Sequence, residues 1–335
     1  MTHPPQPESA GEVHLIDEVR AALDSGEPLE LLGLVSMMIL ATETGGAAPS
    51  SDLGELVGAF IGAPMPETTA LLAALGQLCE DNALAARCRS AAAARSDALP
   101  GWLTQLAQAG VSRTVLMTHV LGDADELVIG VRFADGSQIS GAVNIDHLLF
   151  STIKDAFFVP ETIDTVLAVA RAGNDDPDTS FADIALGDAA TRLRAALERP
   201  LGPEVSDTWP SSRALLRWVV RLLPRSAESI VPQRDHADIL DRFFASPVGV
   251  AFDRPGHRAM LETSLGAGTG DPLRWSAARV AHLLSGPAER FPVDARAELP
   301  QVLGAYIRFA HAESGIREDL TAEALAVFDD LTGTA

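Results

Sequence analysis

RTVLMTHVL (113–121), ELVIGVRF (126–133) and QISGAVNI (138–145) are three short segments rich in β-branched and apolar residues. They stand in a chain whose other apolar positions mostly recur at helical spacing. Between them lie Gly122-Asp123-Ala124-Asp125 and Ala134-Asp135-Gly136. Both favour tight turns, because glycine accepts positive φ and aspartate bonds to nearby backbone. Three strands joined by tight turns read as an antiparallel meander. A lone meander must cover its apolar face, and the helical stretches on either side can do so. The expected fold class is mainly α with a small antiparallel β-meander, an α+β arrangement with helical N- and C-terminal regions.

Upstream, residues 1–10 are polar and hold three prolines. They read as a disordered tail, without the basic start and apolar core of a signal peptide. Residues 11–110 form a helical region, opened by Val13, Ile16, Val19 and Leu23 on one face. LLGLVSMMILA (31–41) is shorter than the roughly 20 residues a membrane span needs and reads as a buried helix. TETGGAAPSS (42–51) is a loop, Asp52 with Glu55 suits a capping box, and helices follow through 67–94 and 97–109.

Downstream of the meander, helices are expected at 148–157, 161–172 and 180–198. Gly173–Thr179 is a polar connection. Arg199–Ser212, with its prolines, is the best domain boundary. Residues 111–200 thus hold the meander with helices, and 201–335 a helical C-terminal domain. Its helices fall near 212–223, 236–245, 255–265, 272–285, 295–312 and 320–332, with Asp271-Pro272 as a helix start.

Composition narrows the function. The 335 residues carry a formal net charge of −21, with 46 acidic and 25 basic side chains. Unassisted nucleic-acid binding draws on basic residues against phosphate, so it is not expected. Lys154 is the single lysine, a bias that fits a GC-rich bacterial genome. Cys79 and Cys88 are the only cysteines. On one continuous helix they would lie roughly 13 Å apart, so a disulfide needs a break near Asn82. Free thiols in a reducing cytoplasm are the expectation.

Several chemistries fall away. A P-loop needs Gly-Lys-Ser/Thr, and Lys154 follows Ile153. HExxH, CxxC and GxSxG are absent from the sequence. Gly266-Ala267-Gly268-Thr269-Gly270 has no third fingerprint glycine at Asp271 and reads as a loop. Ser151-Thr152-Ile153-Lys154 matches Ser-x-x-Lys, but the Lys-Thr-Gly partner element cannot exist with one lysine.

The densest set of reactive side chains follows the third strand: Asn144, Asp146, His147, Ser151, Lys154 and Asp155. On a helix starting near 147, His147, Ser151 and Lys154 share a face, giving a candidate catalytic set of Asp146, His147, Ser151 and Lys154. The competing reading makes Asp146 an N-cap and the others solvated helix surface. Asp123, Asp125 and Glu126 can offer oxygens to a hard cation, although Asp-rich turns arise for conformational reasons alone. The eight histidines show no zinc-ligand spacing, so neither metal nor cofactor is expected.

Arg213, Arg217 and Arg221 recur every four residues and spread over a helical arc of about 80°. With Trp209 and Trp218 nearby, they form a candidate docking surface for an acidic partner or a phosphate-bearing ligand. The alternative pairs them with the chain's own carboxylates. Leu31–Leu40 with Met37 and Met38 can line a site for an apolar small molecule, or simply fill the core.

Phe243-Phe244-Ala245-Ser246-Pro247, Asp271-Pro272-Leu273-Arg274-Trp275-Ser276, Leu299-Pro300, Tyr306-Ile307-Arg308-Phe309-Ala310-His311 and Leu320-Thr321-Ala322-Glu323-Ala324-Leu325 form a series. It resembles the helical C-terminal segment of a group of uncharacterised actinobacterial cytosolic proteins. The resemblance covers about 235–331, and more loosely Asp146-His147 with Lys154-Asp155. It implies an intracellular actinobacterial origin and carries no activity or site residue with it. The leading expectation is a cytoplasmic, non-enzymatic interaction or regulatory protein with a protein partner and no membrane or nucleic acid. A hydrolase or transferase built on the 146–154 set comes second, and an apolar-ligand protein third.

Overall fold

The computed structural model describes residues 10–43, 52–200, 206–225 and 236–332. Residues 1–9 of the expected tail, 44–51 of the expected loop and 201–205 of the expected boundary lie outside the described residues. Ahead of the sheet come α1 (Ala10–Ser25), α2 (Pro28–Glu43), α3 (Leu53–Gly62), α4 (Pro66–Leu78), α5 (Asn82–Ala93) and the single turn α6 (Gly101–Thr104). Asp52 caps α3 through the Gly54 N–H, and Asp81 caps α5 through those of Ala83 and Leu84. α2 is apolar nearly all round and inserts Leu31, Leu32, Val35 and Ile39 into the core. The chain turns between α4 and α5, yet Cys79 and Cys88 remain free thiols. Burial pushes the Cys88 thiol up to about 11.

The sheet consists of β1 (Gly110–His119), β2 (Ala124–Arg132), β3 (Gln138–Asp146) and β4 (Thr152–Val159), then β5 (Thr179–Asp183) after helix α7 (Ile163–Ala172). Strand order is β4-β3-β2-β1-β5, and every neighbouring pair is antiparallel. The expected meander is its centre. Gly136, at φ 93, makes the β2–β3 turn, and Asp135 receives the Ser137 N–H at 3.0 Å.

One expected helix is a strand, and a second begins as one. The stretch assigned to a helix over 148–157 is a turn followed by β4, and the start of the one over 180–198 is β5. In β4 an extra residue, Lys154, sits in a bulge: Ile153 opposes Ile145, and Asp155 opposes Asn144. The bulge breaks the two-residue alternation and leaves Ile153, Ala156 and Phe157 at helix-like spacing. β5 is five residues on the sheet edge, too short for a clear pattern before the Ala-rich α8 (Leu186–Leu197). The helix expected over 97–109 is α6 plus a 3-10 turn.

One sheet face carries Leu127, Ile129, Val131, Ile139, Val143, Ile145 and Ile153 into a core shared with α1–α5, α8 and α9 (Thr208–Leu222). α9 lies between the sheet and α2, with Trp209, Leu216, Trp218 and Val219 buried. The second core starts only at Ile239, so α9 packs with the residues before the Arg199–Ser212 connection rather than with those after it. The opposite sheet face is covered at one end by α7, whose Ile163 and Leu167 sit on Val115 and Val128. Gly130 makes this possible, since a Cβ there would approach Ile163 to 3.0 Å.

The C-terminal unit comprises α10 (His236–Ala245), α11 (Pro255–Leu265), α12 (Ala277–Ser285), α13 (Leu299–Ser314) and α14 (Glu318–Thr332). Asp271-Pro272 does not start a helix. α12 begins at Ala277, capped by Ser276, because the Pro272 carbonyl accepts from Trp275 Nε1 (3.1 Å) and Tyr306 OH (2.9 Å) instead. Arg279, fully buried, donates to the Asp271, Arg274 and Leu265 carbonyls and lies 4.0 Å over the Trp275 ring. Among the described residues no helix is long and apolar enough to cross a membrane.

His311 is buried beneath this knot. Its Nε2 accepts the Trp275 N–H at 3.2 Å, and its Nδ1 bonds Thr321 Oγ1 at 2.9 Å. Burial lowers its pKa to about 4, partly opposed by the Trp275 contact. The unfolded chain therefore binds a proton that the folded chain refuses between pH about 6.5 and about 4. Stability from the neutral imidazole is complete above that window and is lost as pH falls through it, on the order of 3 kcal/mol. His311→Gln should flatten the fall of Tm between pH 6.5 and 4.5 measured by calorimetry. An unchanged slope contradicts this assignment.

Candidate functional site

The uncovered end of the outer sheet face is where polar side chains collect. Strand alternation puts Ala124 and Glu126 of β2, Ala142, Asn144 and Asp146 of β3, and Asp155 and Phe157 of β4 on that face. With Asp123, Leu148, Lys154 and Ser206 they line a cavity of about 650 Å³. Gly122, at the β1–β2 turn, lies against Arg274 of the C-terminal unit, and Asp123 reaches Ser276 and Arg279 there. The cleft therefore lies at the junction of the sheet and the C-terminal helices.

Its lining is acidic. Four carboxylates, Asp123, Glu126, Asp146 and Asp155, face one ammonium, Lys154, which is exposed on the β4 bulge. Burial raises the Asp123 pKa, and the Asp146 charge adds to this. A Ser276 hydrogen bond and the Arg279 and His119 charges oppose the rise without cancelling it. Asp123 Oδ1 is buried and has no hydrogen-bond partner. Burial also raises Glu126, assisted by the Asp155 charge and opposed by an Asn144 hydrogen bond. Asp155 is held by the hydroxyls of Ser206 and Thr208, and the Ser206 N–H donates to the Lys154 carbonyl at 2.9 Å. Asp146 Oδ1 accepts the N–H groups of Leu148 (2.9 Å) and Leu149 (3.2 Å), capping a turn where a helix start was expected.

The four expected catalytic residues do not share this cleft. Asp146 and Lys154 line it, while His147 and Ser151 do not and instead group with Asp125, which the β2–β3 pairing turns away from the cleft. His147 Nδ1 is 2.9 Å from Ser151 Oγ, and His147 Nε2 is 3.1 Å from Asp125 Oδ2. Asp125 also receives Arg192 of α8 at 2.6 Å. Alternation turns Glu126 to the cleft and Asp125 to the opposite face, while Asp123, in the turn ahead of β2, reaches Ser276, so those three do not converge on a hard cation. Asp155 joins the cleft only once β4 is a strand, because it then lies opposite Asn144 on the side away from Glu126. Ser206 gave no sequence signal.

The arginine stripe is engaged inside the fold. Arg217 bonds Glu80 at 2.5 Å, Arg213 lies 3.7 Å from Glu43, and Arg221 donates to the Gln77 (2.6 Å) and Leu78 (3.2 Å) carbonyls at the end of α4. Trp218 is 2% exposed. Leu31, Leu32, Val35 and Ile39 fill the core, with Met38 packed against it and Met37 half exposed.

Among the described residues, His119, Asp176 and Asp178 bring potential ligand atoms within 4.8 Å of one another. His119 Nδ1 accepts the Leu121 N–H at 3.2 Å, so in the neutral ring the proton sits on Nε2, which faces Asp176 at 3.3 Å. Arg317 binds Asp178 through Nε and Nη2. A guanidinium and an imidazole N–H thus already satisfy these carboxylates.

The fold is α+β, with a five-stranded antiparallel sheet between helical flanks and an acidic outer cleft. Compared with known families, curated proteins and solved structures, the chain matches none. Arg221→Glu should lower stability by about 2 kcal/mol, since it abandons the α4 carbonyls and adds a charge beside Glu80. Arg213→Glu, with only a 3.7 Å contact, should change Tm little. Equal Tm values for both variants would return the stripe to solvent and to partner docking.

Proposed function

We propose that the protein binds a small amine-bearing organic ligand in the acidic cleft, in preference to docking a protein on the arginine stripe. The observation that carries this reading is the convergence of Asp123, Glu126, Asp146 and Asp155 on one cavity, with Asp123 also keeping a buried oxygen, Oδ1, that has no hydrogen-bond partner. Desolvated carboxylates crowded together are costly, and a ligand ammonium offsets that cost by supplying charge and hydrogen bonds. A cavity of about 650 Å³ suits a molecule of metabolite size. Ala142, Leu148 and Phe157 supply apolar contact for a carbon skeleton, and Lys154 on the rim suits a ligand with a neutral or anionic far end. Free Cys79 and Cys88 accord with a reducing cytoplasm as the setting.

Raised carboxyl pKa values give the reading a thermodynamic signature. A cation entering the cleft lowers the pKa of Asp123 and Glu126, so binding near their pKa values releases protons. Titration calorimetry with a series of α,ω-diamines and ω-amino acids tests this. One member should bind with a heat that varies with the buffer's ionisation enthalpy. Glu126→Gln combined with Asp146→Asn should weaken it at least about tenfold, the equivalent of 1.4 kcal/mol. Binding that is equally weakened by neutralising exposed acids elsewhere, such as Asp241 and Glu323, would mean only diffuse attraction to a chain of net charge −21.

A further inference from the structure

The β3–β4 turn carries a second arrangement, independent of the cleft. Phe150 and Ser151 are the only described non-glycine residues with positive φ, at 63° and 57°. Two adjacent left-handed residues, one of them aromatic, are costly, and such strain concentrates where geometry serves a function. The conformation places Ser151 Oγ 2.9 Å from His147 Nδ1. On the other side of the imidazole, Nε2 meets Asp125 Oδ2 at 3.1 Å. Asp125 is buried and fixed by Arg192. Burial alone would raise its carboxyl, but the hydrogen bond and charge of His147, the Arg192 charge and a Thr118 hydrogen bond hold it below the ordinary value. An ionised Asp125 keeps the ring proton on Nε2 and leaves the Nδ1 lone pair facing the serine.

We infer that Ser151, His147 and Asp125 form a nucleophile–base–orienter relay able to cleave small carboxylic esters. The order of ring nitrogens is the reverse of the usual serine-hydrolase arrangement. The chemistry needs only one nitrogen free to accept while the other N–H is anchored. Ser151 Oγ attacks the ester carbonyl carbon as its proton passes to His147 Nδ1. The carbon–alkoxide bond then breaks, the alkoxide takes that proton and leaves as alcohol, and the acyl group stays on Oγ. Water repeats the sequence, giving its proton to His147 and releasing the carboxylic acid and free Ser151. Phe150, 79% exposed at the turn tip, offers apolar contact to a short acyl chain. Ser151 and His147 are the catalytic residues, and Asp125 is a positioning residue.

An alkyl fluorophosphonate tests the relay without a known substrate: the serine oxygen bonds to phosphorus, fluoride leaves, and the proton goes to His147. Intact mass spectrometry of the full chain should show one adduct, mapped by peptide sequencing to Ser151 and lost in Ser151→Ala. His147→Asn should slow labelling at least about a hundredfold. Asp125→Asn should slow it and move the midpoint of its pH profile, with folding of each variant checked by circular dichroism. p-Nitrophenyl butyrate should turn over in the wild type and not in Ser151→Ala. If Asp125→Asn fails to fold, the His147→Asn comparison decides. No adduct, an adduct on another residue, or a Ser151 adduct whose rate ignores His147 overturns the relay. None of these results bears on amine binding in the cleft.

Discussion

Side-chain alternation along β2, β3 and β4, combined with unequal cover on the two sheet faces, is the constraint from which the rest of this molecule follows. Leu127, Val143 and Ile145 turn to a face buried by the N-terminal helices and by α8 and α9. Their neighbours Glu126, Asn144 and Asp146 must turn to the other. α7 covers only one end of that other face, at Val115 and Val128. The polar positions stay together at the uncovered end, where the β4 bulge adds Lys154 and Asp155. A one-residue slip in register would bury the carboxylates and expose the aliphatic residues, so the core itself keeps the acidic cleft in place.

The C-terminal helices complete the cleft through a few contacts. Leu121 at the β1–β2 turn packs on Ile316 and Leu320, and Arg317 pairs with Asp178 beside β5. Buried Arg279 organises the Asp271–Ser276 turn by binding its carbonyls and lying over Trp275, and its charge reaches Asp123. The packing of this turn against the sheet end keeps Asp123 partly desolvated. The same guanidinium that holds the turn also limits how far the Asp123 pKa rises.

Much of the fold was legible in the residues alone. The three meander strands, the apolar α2, the Asp52 cap and helices such as α10 and α11 follow from periodicity and end signals that tertiary packing did not override. β4 was hidden because one bulged residue turned a two-residue alternation into helical spacing. That misreading carried into the site. A helix from 147 would align His147, Ser151 and Lys154 on one face, whereas a turn and a bulged strand send Lys154 to the cleft and leave His147 with Ser151 and Asp125. Asp125 lies about twenty residues upstream of His147, and only the pairing of β2 with β3 brings it near. The arginine stripe was visible as a periodicity. Its partners, Glu80 and the last carbonyls of α4, are set by long-range packing that local spacing does not encode.

The cleft and the relay use the two sides of one short stretch, 144–155, so a single substitution there need not affect both. The acidic cleft is the broader claim, because it depends on the whole sheet and on its junction with the C-terminal helices. Its most direct test is a carboxyl-carbon NMR titration of Asp123 and Glu126, without and with a saturating diamine. Both side chains should titrate above ordinary aspartate and glutamate values in the free protein and shift downward when the amine is present. Ordinary titration of both, unchanged by the amine, would contradict the account.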